Sequence, residues 1–396
     1  MGIYSEYLDK GLGGDIEALN KERKVQLERI SRRRGRDVLV FAADLKPVIN
    51  QERALLRHVT QADILPITDQ LTNLSGSGLD LILETAGGFA EIAEQLLRIL
   101  RSKYSDFAVI VPGAAKGAGS ILAMGADEIL MEPFASALGP IDAQLRGLSV
   151  EALLTGVEKI KKEVVKTEQL NKAYVPLLQG VSPGDLQNAR YLLDLSKNLV
   201  TEWLANYKFK DWTTHRTPGK PTYRQPVTEV DKKRRGRQIA RQLANHKAWK
   251  AHSRSITLED LRAMRLEVTD YAGDAELADP IRRYYTLLQM TFETNIYKVY
   301  ETSGSQILRY EVPLAAQRPL PSKPTEADVA IRELVCKKCQ QQTLIQANLR
   351  PGLPLQAEHT IFPATNRFIC PGCGTEQDLS QLRQQIELVT KKKIIP

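Results

Sequence analysis

Leu79-Asp80-Leu81-Ile82-Leu83-Glu84-Thr85-Ala86-Gly87-Gly88 is the stretch that decides the fold. Its apolar run is short and nearly continuous, as in a strand covered on both faces of a parallel sheet, and it stops at a glycine pair. Downstream, Phe89, Ile92, Ala93, Leu96, Leu97 and Leu100 recur at helical spacing and predict a helix with one apolar face. Phe107-Ala108-Val109-Ile110-Val111 reads as the next strand, followed by the turn Pro112-Gly113 and a small-residue segment from Ala114 to Ala126. Ile129-Leu130-Met131 then reads as a short strand, with a loop from Pro133 to Gly147 behind it. Upstream lie the strand Val38-Leu39-Val40-Phe41-Ala42, a helical stretch around 62–75 and the turn Gly76-Ser77-Gly78. Strand and helix alternate, which predicts an α/β core with parallel pairing.

Four regions make up the chain. Residues 1–36 read as a charged helical segment, and 37–300 as the main domain. Within that domain, 150–208 is mostly helical. Segment 208–237 holds Pro218, Gly219, Pro221 and Pro226 and reads as an exposed basic insertion. Helices are expected again near Gln238, across Thr257–Met264 and over 279–300. Pro313, Pro319, Pro321 and Pro324 mark a linker at 301–331, and 332–396 forms a small C-terminal domain.

Composition excludes some classes. Hydrophobic residues at 42% and charged residues at 26% suit a soluble globular chain. No stretch reaches the ~20 apolar residues of a membrane span, and MGIYSEYLDK lacks the basic start and apolar run of a secretory signal, so the expected location is cytoplasmic. The formal charge of +8 is concentrated: Lys208 to Arg254 holds 14 Lys/Arg against 3 Asp/Glu, a local +11 that leaves −3 elsewhere. A globally basic nucleic-acid surface is therefore not expected. Lys232, Lys233, Arg234, Arg235 and Arg237 could still touch nucleic acid, an anionic lipid or an acidic peptide, or be a solvated face, with Trp212 and Tyr223 near enough to permit base stacking.

A glycine pair between strand and helix either makes a tight turn or turns backbone N–H groups toward a reacting oxygen. The run from Leu81 to Gly88 is followed by Ala115-Lys116-Gly117-Ala118-Gly119-Ser120-Ile121-Leu122-Ala123-Met124-Gly125-Ala126-Asp127-Glu128-Ile129. Leu138-Gly139-Pro140-Ile141-Asp142 and His252-Ser253-Arg254-Ser255-Ile256-Thr257-Leu258-Glu259-Asp260 come later. In this order the segments resemble the serine dehydrogenase proteinases and, more distantly, Clp protease and signal peptide peptidase A, over roughly residues 25–275. The resemblance implies a Clp/crotonase-like core of repeated ββα units with a helical extension, a peptide or protein substrate, and a homo-oligomer. It also implies that Gly87 and Gly88 form an oxyanion hole.

The same resemblance places Gly117 where the family carries its serine nucleophile, and Ser120 where it has a later hydroxyl residue. Asp142 and His252 fall at the other two triad positions. Ser120 is then either a displaced nucleophile or a packing residue, since one helical turn moves a side chain about 4.5 Å along the axis. Asp142 and His252 could equally cap local turns. His246 competes with His252, whereas His58, His215 and His359 are more remote candidates and His215 reads as solvated. A serine–lysine dyad could draw on Lys116, Lys166 or Lys172.

All four cysteines lie in two pairs, Cys336/Cys339 and Cys370/Cys373, each C-x-x-C. In a chain of this size that spacing reads as a closed four-thiolate zinc site of structural type, a zinc ribbon, with redox pairs or four reduced cysteines without metal as the alternatives. His359 is a spare ligand, and strands are expected at Gln342–Leu349 and Thr365–Ile369. Such a ribbon could bind nucleic acid or protein. Three functions are thus open: a serine peptidase using Ser120, His252 and Asp142; an inactive pseudoprotease that binds peptide or nucleic acid; and acyl chemistry of the crotonase kind.

Overall fold

The computed structural model describes residues 2–48, 50–145, 148–311, 328–390 and 392–395. The chain forms two compact units, Met1–Glu311 and Val312–Pro396.

The first unit is built on a seven-stranded sheet. Its strands are β1 (Asp37–Ala43), β2 (Gly78–Glu84), β3 (Asp106–Val111), β4 (Glu128–Met131), β5 (Thr269–Asp270), β6 (Ile296–Glu301) and β7 (Gln306–Tyr310). The spatial order is β7-β6-β1-β2-β3-β4-β5. β1 to β5 pair in parallel, while β6 runs antiparallel to β1 and β7 antiparallel to β6. The near-continuous apolar strands follow from burial on both faces: Leu39, Leu81 and Val109 enter one core, while Val40, Ile82 and Ile110 enter the other.

Helices cover both faces. The helices used below are α1 (Ile16–Arg34), α2 (Ala90–Lys103), α3 (Ala118–Ala123), α4 (Val150–Thr167), α5 (Pro183–Trp203), α6 (Glu229–Leu243) and α7 (Ala275–Phe292). Leu27 and Ile30 of α1 and Ile281, Tyr284 and Leu288 of α7 share one core. Ile92, Leu96 and Leu100 of α2 share the other with Ile121 of α3, Val200 of α5 and Ile239 of α6.

Several expectations change in three dimensions. Phe89 is not on the buried face of α2: it precedes the first turn and is 47% exposed. The 279–300 stretch is helical only to Phe292; Ile296–Glu301 becomes an edge-side strand whose alternation of Tyr, Lys, Val and Tyr suits a pleat. The basic segment is a loop only in part, because Thr228 caps α6 through its hydroxyl and Asp231 closes the capping box, so residues 229–237 are helical. The N-terminal segment holds two helices, Ile3–Asp9 and Ile16–Arg34, within the first unit, where Arg23 of α1 is fully buried against Glu301 of β6. Of the expected linker, Gln306–Tyr310 is a strand and the four prolines lie outside the described residues.

The second unit pairs β8 (Val329–Val335), β9 (Gln342–Asn348) and β10 (His359–Ile361) in one sheet, and β11 (Arg367–Ile369) with β12 (Glu376–Asp378) in another. Among the described residues no helix is long and apolar enough to cross a membrane.

Candidate active site and metal centre

β2 ends at Glu84, and Thr85 continues the ladder by accepting from Lys116 N and donating its own N–H to Ala114. The chain then turns through Gly87 and Gly88 at positive φ. Val59 N donates to Gly87 C=O at 2.7 Å and Phe89 N donates to Val59 C=O at 3.1 Å, which clamps the turn from outside. Gly88 must be glycine here, since a Cβ would fall 2.3 Å from Val59 O. The clamping segment is itself anchored: buried Lys298 donates to His58 C=O at 2.7 Å and to Asp63 Oδ1 at 2.6 Å.

Gly117 sits at the entry to α3 with φ 50° and ψ −114°, a conformation that an L side chain adopts only under strain. A Cβ built there would lie 3.9 Å from both Gly88 N and His252 Nε2. One further bond would bring a hydroxyl within hydrogen-bond reach of either. The N–H groups of Gly88 and Ala118 line the same cleft and have no protein acceptor among the described residues. Of the expected glycine pair, Gly87 instead donates its N–H to Thr85 Oγ1 at 3.2 Å, so the free donors beside this position, which could hold an oxyanion, are those of Gly88 and Ala118.

Asp142 and His252 come together from distant segments. Leu138 and Ile256 exchange backbone hydrogen bonds at 3.0 and 2.8 Å, which ties the two loops side by side. His252 Nδ1 then lies 2.7 Å from Asp142 Oδ1, and Asp142 is only 2% exposed. His246 Nδ1 reaches the other oxygen, Oδ2, at 3.1 Å. Burial pushes the Asp142 carboxyl up, but the His252 hydrogen bond and charge, with hydrogen bonds from His246 and Ser149, bring it below its usual range. It is therefore a carboxylate at neutral pH, able to fix the imidazole with Nε2 directed outward.

Ser120 is fully buried inside α3. Its hydroxyl has Ala115 C=O at 2.7 Å and Gly139 C=O at 2.9 Å as acceptors, and it accepts from Gly139 N at 2.8 Å. The Lys116 ammonium donates to Ser253 C=O, and Lys166 and Lys172 are exposed. His58 lines the cleft with Nδ1 on Ala54 C=O, whereas His359 bonds locally to Ala357 C=O. His215 is not simply solvated; its ring meets Trp212 edge-on, with Nε2 3.7 Å from Asp231.

The cleft over Gly88 and Gly117 has a volume of about 380 Å³. Exposed Leu55 and Phe89 form an apolar lip, with Ile121, Ile141 and Leu192 deeper in.

The cysteines of the second unit converge as their spacing predicts. All four Sγ atoms lie within 4.8 Å of one another, with Cys336–Cys373 and Cys339–Cys370 at 3.6 Å. A tetrahedral ion with bonds of about 2.3 Å holds its sulfurs about 3.8 Å apart, so these four thiols could hold a metal ion. His359 is not part of the cluster.

Fold and site together define an α/β protein in which an Asp–His pair faces a glycine turn. The family described as ClpP-like SDH-type serine proteinase matches residues 16–246, and the chain belongs to it. Among curated proteins it is similar to the uncharacterized protein MJ0137 of Methanocaldococcus jannaschii, 28% identical over 158 residues, 40% of this chain and 52% of that protein. MJ1495 of the same organism is 30% identical over 105 residues, 26% of this chain and 36% of that one. The chain thus spans about half or less of these relatives' length. A solved structure of the membrane-bound stomatin-specific protease 1510-N, in a serine-to-alanine form, aligns with 54% of this chain and 74% of its own. Sequence identity there is 16% and the TM-score 0.27.

Three of the five cations in the basic run have carboxylate partners within the protein. Lys232 pairs with Glu229, Lys233 with Glu202 and Arg234 with Asp231.

Proposed function

We propose that the chain is a peptide-binding member of its family that does not form an acyl-enzyme, a pseudoprotease with a preserved cleft. The observation that carries this reading is Gly117: the position facing His252 Nε2 and Gly88 N has no side chain. Ser120 is assigned a structural role, because its hydroxyl is spent on Ala115 and Gly139 and has no exposure. The N–H groups of Gly88 and Ala118 would hold a peptide carbonyl, while His252 Nε2, left as an acceptor by the bond from Nδ1 to Asp142, would take a peptide N–H, all by hydrogen bonds alone. We read the main sheet, with the short ladder of Ala114-Ala115 beside Ala137-Leu138, as the ββα plan of the Clp-like fold. The four cysteines are assigned a structural zinc, since a complete set of thiolates leaves no open coordination position.

The test is labelling by a fluorophosphonate probe. Wild type is expected to remain unlabelled, Gly117→Ser to react, and the Gly117→Ser/His252→Ala double variant to lose the label. Labelling of wild type that disappears in Ser120→Ala would overturn the reading in favour of Ser120 as nucleophile. Binding of a fluorescent casein-derived peptide should weaken in Phe89→Ala, an exposed change at the cleft lip. Equal affinity in that variant would remove the cleft as the peptide site.

A further inference from the structure

A second, larger cleft of about 730 Å³ opens between the start of β4, the segment after α5, helix α6 and the approach to β5. Four cations line it: Lys208, Arg216, Arg235 and Arg265. Two of its acids are occupied by partners of their own. Asp127 is bound by Arg101 and Lys210 at 2.7 Å, and Glu128 by Arg34 at 2.7 Å. That leaves Asp211 and Glu267 on the walls against the four cations.

None of the four cations has a carboxylate within 4 Å among the described residues. Lys208 donates to Asp127 C=O at 3.1 Å. Arg235 donates to Gln238 Oε1 and to Met264 C=O. The side chains of Arg216 and Arg265 make no hydrogen bond or ion pair among the described residues. Arg216 and Arg265 are exposed, so their guanidinium groups are open to an anion entering the cleft, and Arg235 stands close enough to add its charge. Burial lowers the affinity of Lys208 for its proton, against the opposing charges of Glu267, Glu128 and Asp127, and burial with the Arg265 charge does the same for Arg235. Both effects would be relieved by a bound anion.

The remaining wall is aromatic. Phe209 and Trp212 pack edge to face at 6.0 Å, and Trp212 meets His215 at 5.3 Å. Cations beside an aromatic wall, in a volume matching a small-ligand site, are the complement of a phosphate attached to a flat heterocycle. A nucleic-acid track is less well served, since the neighbouring Lys232, Lys233 and Arg234 are engaged by carboxylates of the protein.

We propose that this cleft is a binding site for a nucleoside phosphate, with Arg235, Arg265 and Lys208 on the phosphates and the Phe209–Trp212 wall against the base. Arg265 is the cleanest probe because its side chain holds nothing in the fold.

The experiment is calorimetric titration of the full chain with ATP, AMP, adenosine, inorganic pyrophosphate and a single-stranded oligonucleotide at constant ionic strength. ATP should bind more tightly than pyrophosphate and far more tightly than adenosine. Arg265→Gln should weaken ATP by about tenfold or more, with an unchanged circular dichroism melt, as expected for loss of a charge-assisted hydrogen bond. Absence of ATP binding at millimolar concentration would overturn the proposal, as would equal affinity in Arg265→Gln. Pyrophosphate binding as tightly as ATP would remove the aromatic wall from it. Oligonucleotide binding that ATP cannot displace would replace it with a nucleic-acid surface.

Discussion

The imidazole of His252 and the carboxylate of Asp142 stand 2.7 Å apart, although 110 residues separate them in the chain. Backbone bonds between Leu138 and Ile256 hold their loops together, and Ile141 N donates to Leu243 C=O on the same side. The pair is thus rigidly built, and it points at a glycine. This arrangement leads to the first prediction.

Placing any L side chain at position 117 should cost about 1–3 kcal/mol, because φ there is positive and ψ is not that of a left-handed helix. Gly117→Ala and Gly117→Ser should therefore lower the urea midpoint alike, while only the serine variant gains probe reactivity. Stability unchanged in both would mean that the backbone relaxes and the turn is not fixed.

Ser120→Ala leaves Gly139 N and two carbonyls without their hydroxyl partner in a site with no exposure. A loss of about 1–3 kcal/mol in unfolding free energy is expected, with peptide affinity retained. A stable variant that has lost peptide binding would contradict the structural role.

Glu84 carries a pH signature. Burial raises its carboxyl to about 8, against hydrogen bonds from Ala114 N, Tyr285 and Gln289 and together with the Asp44 charge. The folded value exceeds the ordinary 4.5, so the folded state keeps a proton that the unfolded state has lost. This contribution to stability is complete below about 4.5 and disappears as pH rises toward about 8, at up to about 1.4 kcal/mol per pH unit. Urea titrations at several pH values should show that Glu84→Gln gains on wild type across this window. A constant difference between the two would reject the assignment.

Arg23 and Glu301 are both fully buried, and Arg23 also donates to Thr291 Oγ1 at 2.6 Å. Arg23→Met strands the glutamate and should cost about 3–5 kcal/mol, whereas adding Glu301→Gln should restore part of it. Equal costs for single and double variants, measured by denaturant unfolding, would show that the pair is not coupled.

Metal removal should act on the second unit. Chelation, or Cys370→Ser, should release one zinc per chain and raise hydrogen exchange across residues 328–390, with the exchange of β1 to β4 unchanged. Full retention of exchange protection without metal would show that the small core around Ile345, Phe362 and Phe368 suffices.

What the sequence determined by itself was whatever local spacing encodes. Strands β1 to β4 and the apolar face of α2 are legible because parallel burial and helical period leave their marks within a few residues. The C-x-x-C pairs converge because two sulfurs per knuckle already share a direction. Asp142 and His252 were nameable only through the resemblance, since neither carries a local signature. Tertiary structure alone decided the rest. Ser120 looked available until Gly139, 19 residues away, covered it and took its hydroxyl. Both His246 and His252 could be ranked only once Asp142 offered one oxygen to each. The basic run became a helix face with its own carboxylates because Glu202 comes from a different helix. The cleft around Arg265 left no pattern at all. Its walls are assembled from four separate parts of the chain, and charge balance between such parts is a property of their meeting, not of any one segment.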